Sequence, residues 1–400
     1  MSADGARLAE RSVDCLPPGE LEAKLALGRP LRVKFGVDPT APDIHLGHTV
    51  VLGKLRELQD AGHLAVLIIG DWTARVGDPS GRSSIRPMLD AQDIDRNAVT
   101  YREQAFRILD PERTEIRANG EWFAGMGLED VFRLAGSATV NQLLRRNDFG
   151  ERMAANRPVS VLELLYPLMQ AYDSVMVDAD LELGGTDQLF NLMLAREVQS
   201  QYGRDPQVVM TMPILSGIDG AQKMSKSLGN QIGVADPPAE QFGRTMRIPD
   251  DVLPEWYRLL APGEPPPAGP AVEDKRRLGR LIADRFHGAG AGEEAEAHFN
   301  RTVRDHQAPE EMPTIFVDAN VLVHLPALLA DRLGVASRSE ARRLIAGGGV
   351  SLDGEPVHEL DLDANALQGR VIRAGKRRFA RVALASDGAS EGAPGGGSAP

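Results

Sequence analysis

Residues 31–70 constrain the fold more than any other stretch of this chain. Val33, Phe35 and Val37 alternate as in a strand, Val50, Val51, Leu55 and Leu58 recur at helical spacing, and Leu64–Ile69 is an unbroken apolar run. A short run that is apolar at every position is a strand covered on both faces, and two parallel strands need a crossover such as the helix between them. The segment is therefore a βαβ unit.

A second unit is expected from Val175–Val177 and Leu181–Leu183, through a helical pattern at Leu189, Phe190, Met193, Leu194 and Val198, to the apolar run Val208–Leu215, with Thr186 as the helix N-cap. Residues 90–170 between the units are largely helical in pattern. A parallel α/β sheet with a long helical insertion accounts for both.

The composition changes at Pro237, and the Pro/Gly-rich stretch Ala261–Pro270 reads as a stiff connector inside a small helical module. A compact third unit is expected from about Val335 to Ala385, with a helix Ser339–Ala346, a stop at Gly347–Gly349, and strands Val350–Leu352 and Val371–Ile372. The last fifteen residues are mostly Gly, Ala, Ser and Pro, which bury too little apolar surface to offset chain entropy, so 386–400 is expected to be disordered. The expected domains are 1–236, 237–330 and 335–385, followed by that tail.

Charge enters the argument at this point. The chain carries −12, from 57 acidic and 45 basic residues, which taken as an average disfavours a polyanion partner. Residues 335–385, however, hold nine Lys/Arg and six Asp/Glu, a local excess of +3. Phosphate contacts need local positive charge, so RNA binding by this segment is plausible. The single cysteine, Cys15, excludes an intramolecular disulfide and a Cys-based metal centre, and fits a reducing cytosol. The charged N-terminus and the shortness of the longest apolar run argue against export or a membrane span.

Two motifs carry chemistry. Asp38-Pro-Thr40-Ala-Pro-Asp-Ile-His45-Leu-Gly47-His48 sits between a strand and a helix, where free N–H groups, a glycine and two imidazoles suit a phosphate chain. Alone it would equally suit a metal pair or a purely structural role. Lys223-Met-Ser-Lys226-Ser227, flanked by Gly217, Gly220 and Gly229, is either a solvated basic loop or a mobile cationic clamp for phosphates. The two in this order resemble the signature of class I aminoacyl-tRNA synthetases. Phe35-Gly-Val-Asp38-Pro-Thr40, Gly77-Asp78-Pro-Ser-Gly81, Tyr166-x-x-x-Gln170-x-x-Asp173 and Gly184-Gly185-Thr-Asp187-Gln188 further resemble the bacterial tyrosyl-tRNA synthetases, over nearly the whole chain up to about Ala385.

The resemblance implies a Rossmann-like catalytic domain, a helical anticodon-region domain and a C-terminal α+β module similar to ribosomal protein S4. It implies the substrates L-tyrosine and ATP, magnesium, the partner tRNA(Tyr), a homodimer and a cytoplasmic location. Thr40, His45, His48, Lys223 and Lys226 match its catalytic positions, and Arg82 and Arg86 fall in its mobile basic loop. Asp38, Gly47, His48, Gly185, Asp187 and Lys226 match ATP contacts. Asp78, Tyr166, Gln170 and Gln188 match the amino-acid site, with Asp173 as acceptor for the phenolic hydroxyl. In the S4-like module, Arg338, Arg342, Arg343, Lys376 and Arg377 match tRNA contacts. No metal ligand is assigned. At position 34, where one branch of the family carries a tyrosine that touches the substrate hydroxyl, this chain has Lys34. A tryptophanyl-type synthetase, a small-molecule nucleotidyltransferase with the same histidine chemistry, and a non-catalytic RNA-binding paralogue are the rival readings.

Overall fold

The computed structural model describes residues 3–40, 43–79, 91–301, 312–319, 321–375 and 378–385. Arg82, Arg86, Lys376, Arg377 and the 386–400 tail lie outside them. The chain divides into two compact units, 1–292 and 293–400.

The first unit is built on six strands: β1 (Asp14–Leu16), β2 (Arg32–Val37), β3 (Leu64–Ile69), β4 (Thr114–Ala118), β5 (Leu181–Gly185) and β6 (Val208–Met212). Their order is β1-β6-β5-β2-β3-β4. The strands β2 to β6 pair in parallel, and β1 closes one edge antiparallel to β6. From β2 the chain steps outward through β3 to β4, then returns to β5 on the other side of β2. The order thus reverses between β2 and β5, and a crevice opens beyond the carboxyl ends of these two strands.

Strand β3 shows why the sheet must be covered twice. Ala65, Leu67 and Ile69 join the core formed with the helix Leu46–Asp60, whereas Val66 and Ile68 join the core formed with the helices Val161–Met176 and Leu189–Gln201. Trp256, Tyr257, Leu278, Ile282 and Phe286 belong to the first of these cores. The helices that open the expected 237–330 segment therefore share a core with the sheet of the first unit. Its later part contains strands β7 (Thr314–Val317) and β8 (Leu322–His324), which belong to the second unit.

That second unit adds β9 (Val350–Leu352), β10 (Glu355–Pro356), β11 (Asp361–Asp363), β12 (Val371–Ala374) and β13 (Arg378–Leu384). Five form a sheet in the order β10-β9-β12-β13-β7, and β11 pairs with β8. Ser337 caps the helix Arg338–Ala346 by accepting from the Glu340 N–H at 3.1 Å.

Three local expectations are corrected. Val175–Val177 is not a strand, since Val175 lies in the last turn of the helix Val161–Met176, where its side chain packs into the core. Tertiary packing there outweighs the strand preference of β-branched residues. Thr186 does not cap the following helix, because Thr186–Gln188 is a 3₁₀ turn and Gln188 occupies the cap position without a side-chain bond. The last strand of the sheet ends at Met212 rather than Leu215.

Candidate active site

The crevice is reached first by Asp38, the residue after β2. Its Oδ1 accepts from Thr73 Oγ1 at 2.7 Å and its Oδ2 accepts from the Tyr166 hydroxyl at 2.9 Å. Gly70, after β3, makes this possible, since a Cβ there would sit 2.1 Å from Asp38 Oδ1 and 2.2 Å from Thr73 Oγ1. Burial and the neighbouring carboxylates Asp38 and Asp78 push the Tyr166 hydroxyl well above its usual range, so it stays protonated and donates.

The helix Leu46–Asp60 points its N-terminus towards the same side. His45 is its N-cap, with Nδ1 accepting from the Gly47 N–H at 3.2 Å, and His48 Nδ1 accepts from the His45 N–H at 3.2 Å. Each ring thus spends Nδ1 as an acceptor, which puts the proton of the neutral ring on Nε2. Burial lowers His45 to about 2 and His48 to about 4, with the charge of Lys223 adding to both. At working pH this site offers two neutral imidazole N–H donors at a helix N-terminus, an arrangement suited to an anion. Gly47 is held to glycine because a Cβ would lie 2.9 Å from the His45 ring.

The lysine loop is braced beside this helix. Leu46 N donates to Ile232 O and Val234 N to Ile44 O, which ties the segment after the loop to the histidine segment. Met224 is buried in the core, leaving Lys223 and Lys226 half-exposed on either side of it. Asn230 braces the loop from within, accepting from Ser225 N at 2.8 Å and donating to Asp219 Oδ2 at 2.6 Å. Lys223 Nζ lies 3.4 Å from Asp187 Oδ2, and Lys226 Nζ lies 2.6 Å from Asp43 Oδ2. Asp187 in turn requires Gly185, where a Cβ would meet its Oδ1 at 2.7 Å. Thr40 is half-buried in the turn after Asp38, its N–H donating to Asp38 O.

A second polar network lines the crevice. Asp78 accepts from Gln188 Nε2 at 2.9 Å and from Arg146 Nη2 at 3.3 Å, and Asn191 Nδ2 donates to both Gln188 Oε1 and Gln170 Oε1 at 2.9 Å. Asp173, one turn beyond Gln170, is buried, with Oδ1 accepting from Trp122 Nε1 at 3.0 Å and Oδ2 from Asn119 Nδ2 at 3.3 Å. Burial raises its carboxyl to about 7, against the lowering effects of Lys34 and of these two donors. The structure thus brings Asp78, Gln188 and Gln170 into one network and Asp38 and Tyr166 into another. Asn119 Nδ2 also donates to Thr73 Oγ1 at 3.0 Å, which joins Asp173 to the second.

Thr73, Asn119, Trp122, Arg146, Asn191 and Asn230 are absent from the sequence reading. None sits in a local motif, and each is recruited by a partner distant along the chain or by a loop contact; Trp122, for instance, is 51 residues from Asp173. Only the structure explains Gly217, where a Cβ would meet the Asn230 side chain at 2.3 Å.

In the second unit, Arg338, Arg342 and Arg343 are exposed on the helix Arg338–Ala346, whose other face buries Ala341 and Ile345. Arg338 Nη2 lies 2.9 Å from Asp331 Oδ2.

A family profile described as tRNA synthetases class I (W and Y) matches residues 26–300, and an S4 domain profile matches residues 325–360. Together with the reversal in the sheet and the histidine and lysine segments beside it, this defines a class I aminoacyl-tRNA synthetase. The tyrosine–tRNA ligase of Moorella thermoacetica is 46% identical, covering 94% of this chain and 95% of the relative. That of Geobacter sulfurreducens is 46% identical over 96% and 99%, and that of Thermotoga maritima 45% over 94% and 96%. The chain belongs to the tyrosine–tRNA ligase family. Solved structures share the fold: a truncated Aspergillus nidulans mitochondrial tyrosyl-tRNA synthetase, 20% identical, has a TM-score of 0.60 over 74% of this chain and 92% of its own. The Aeropyrum pernix tyrosyl-tRNA synthetase, 24% identical, has a TM-score of 0.57 over 73% and 97%.

Proposed function

We infer that this chain joins L-tyrosine to ATP as tyrosyl adenylate, releasing diphosphate, and then passes the tyrosyl group to the 3′-terminal ribose of tRNA(Tyr). In the first step a tyrosine carboxylate oxygen bonds to the α-phosphorus of ATP while the bond to the bridging oxygen breaks. In the second, a ribose hydroxyl replaces AMP at the tyrosyl carbon. No enzyme nucleophile is required, so catalysis rests on positioning and on charge stabilisation.

The ammonium of tyrosine would meet Asp78, Tyr166, Gln170 and Gln188, and its phenol would meet Asp173. The observation that carries the choice of tyrosine is the buried Asp173 carboxylate, an acceptor that phenylalanine would leave without the hydroxyl it expects. For ATP, the Nε2–H groups of His45 and His48 and the close approach allowed by Gly47 suit the phosphates, Asp187 and Gly185 suit the ribose, and Asp38 and Thr40 border both substrates. Lys223 and Lys226 would leave Asp187 and Asp43 for the diphosphate, with Arg82 and Arg86 assigned to it from sequence. Among the described residues no group of three His, Cys, Asp or Glu could hold a metal. Magnesium, which the family resemblance implies, would enter with the substrate as the counter-ion of the ATP phosphates.

Arg338, Arg342 and Arg343 supply a basic face for tRNA, joined in sequence by Lys376 and Arg377. Exposed Leu128, Phe132, Val140, Met153, Val161 and Leu162 in the helical insertion support a homodimer formed through that segment. The lone free Cys15 and the lack, among the described residues, of a helix able to cross a membrane support a cytoplasmic location.

The test is ATP–diphosphate exchange with single amino acids, followed by charging of tRNA(Tyr). Exchange dependent on tyrosine is expected; exchange dependent on tryptophan, or none with either, overturns the reading.

A further inference from the structure

Lys34 is fully buried at the centre of the sheet, in the middle of β2. Its neighbours Val33 and Phe35 point into the core beside the helix Leu46–Asp60, so Lys34 points to the opposite face, under the helix Val161–Met176. Lys34 is paired in register with Glu182 of β5, and the two side chains form an ion pair of 2.8 Å with essentially no exposure. The remaining ammonium hydrogens are also used: Lys34 Nζ donates to Gln170 O at 2.8 Å and to Ser174 Oγ at 2.7 Å. Glu182 is equally engaged, accepting from Ser174 Oγ at 3.0 Å and from Gln207 Nε2. A three-donor group with three partners has no hydrogen left for a substrate.

The helix partners of Lys34 span one turn, Gln170 to Ser174, and that turn carries the two residues assigned to opposite ends of the amino acid. We propose that Lys34 is a positioning residue for tyrosine selection, its buried pair with Glu182 locking the Gln170–Ser174 turn so that Gln170 faces the ammonium and Asp173 faces the phenol. The inference rests on the tyrosine reading of the site given above. Lys34 supports Asp173 electrostatically as well, its positive charge favouring the ionised form of a buried carboxylate. The groups facing Asp173 are Lys34 from β2, Glu182 from β5, Tyr166 on its own helix, and the neutral donors Trp122 and Asn119.

Removing one partner of a buried pair leaves the other uncompensated, whereas neutralising both is far better tolerated. The test therefore uses Lys34→Met, the paired variant Lys34→Met/Glu182→Gln, and Ser174→Ala, which removes one tie to the turn at a position compatible with a helix. Tyrosine and ATP KM values, the tyrosine/phenylalanine ratio and the pH profile are read by ATP–diphosphate exchange, alongside melting curves. The paired variant is expected to raise the tyrosine KM about tenfold, as for one lost hydrogen bond to a charged group. The same variant should lower the tyrosine/phenylalanine ratio, move the acid limb of kcat/KM for tyrosine to higher pH, and leave the ATP KM within about twofold. Ser174→Ala should raise the tyrosine KM about threefold, a fraction of that effect. Folded variants with an unchanged tyrosine KM, ratio and acid limb overturn the proposal, as does a parallel rise in both KM values, which marks a merely structural role. Failure of the unaltered enzyme to use tyrosine would instead overturn the functional reading.

Discussion

Asp173→Asn sets folding stability against selectivity, and its effect is dictated by pH. In the folded chain the Asp173 carboxyl lies at about 7, against an ordinary value of 3.8, because burial penalises its charge. Between these values the folded state holds a proton that the unfolded state has released, so the contribution of Asp173 to stability falls as pH rises from 3.8 through 7. Each unit of separation is worth about 1.4 kcal/mol, so from pH 5 to pH 8 the parent enzyme should lose about 3 kcal/mol relative to an uncharged replacement. The asparagine has a cost of its own, since its amide N–H groups face Trp122 Nε1–H or the Asn119 amide, both donors. That cost, about 1–3 kcal/mol, does not vary with pH and cancels from the difference between the two pH values. The assay is urea unfolding of both proteins at pH 5, 6, 7 and 8, followed by tryptophan fluorescence. Trp72, Trp122 and Trp256 all lie within residues 1–292, so the signal reports the unit that contains the site. The stability difference should shift steadily in favour of Asp173→Asn as pH rises to 7 and then level off. Tyrosine kcat/KM of the parent enzyme should rise over the same interval with a midpoint near 7, and the variant should lose its preference for tyrosine over phenylalanine. A stability difference that stays constant with pH, or a variant that keeps its selectivity, would refute the reasoning.

Gly70→Ala drives a methyl group into the Asp38–Thr73 hydrogen bond and should cost about 1–3 kcal/mol of stability together with adenylate formation; a parental melting temperature with normal exchange counts against it. Asp43→Ala frees Lys226 from a half-exposed ion pair, so the ATP KM should fall about two- to threefold with little change in melting temperature, and a raised KM would contradict the clamp role. Truncation after Gly292 follows the division between the compact units and should keep tyrosine-dependent exchange while abolishing efficient charging of tRNA(Tyr). Loss of both activities would show that the second unit is needed for the first step.

Much of the fold was legible because its main signals are local. Leu64–Ile69 reads as a strand covered on both faces, and β3 has those bounds. The helix Leu46–Asp60 and the strand Leu181–Gly185 follow from spacing in the same way. The edge strands β1 and β4 escaped notice because they are short and half-buried at every position, without the alternation that marks a strand. The motif residues were legible because a histidine cap, a glycine and a lysine loop leave marks within a few positions of one another. Asp78 and Gln188 also sat in local motifs, but they meet only across the fold, and Arg146 and Asn191, from other parts of the chain, extend their contact to Gln170.

By itself, then, the sequence determined the α/β class, the order of the units, the histidine and lysine segments and the residues that resemble a tyrosine site. These depend on periodicity and on side-chain chemistry that neighbouring residues express together. Only the tertiary structure decided which carboxylate is buried, which donors surround it and which groups Lys34 meets. Desolvation and hydrogen-bond partnership are properties of space: the sequence leaves the partners of Lys34 open until β2, β5 and the helix above them close around it.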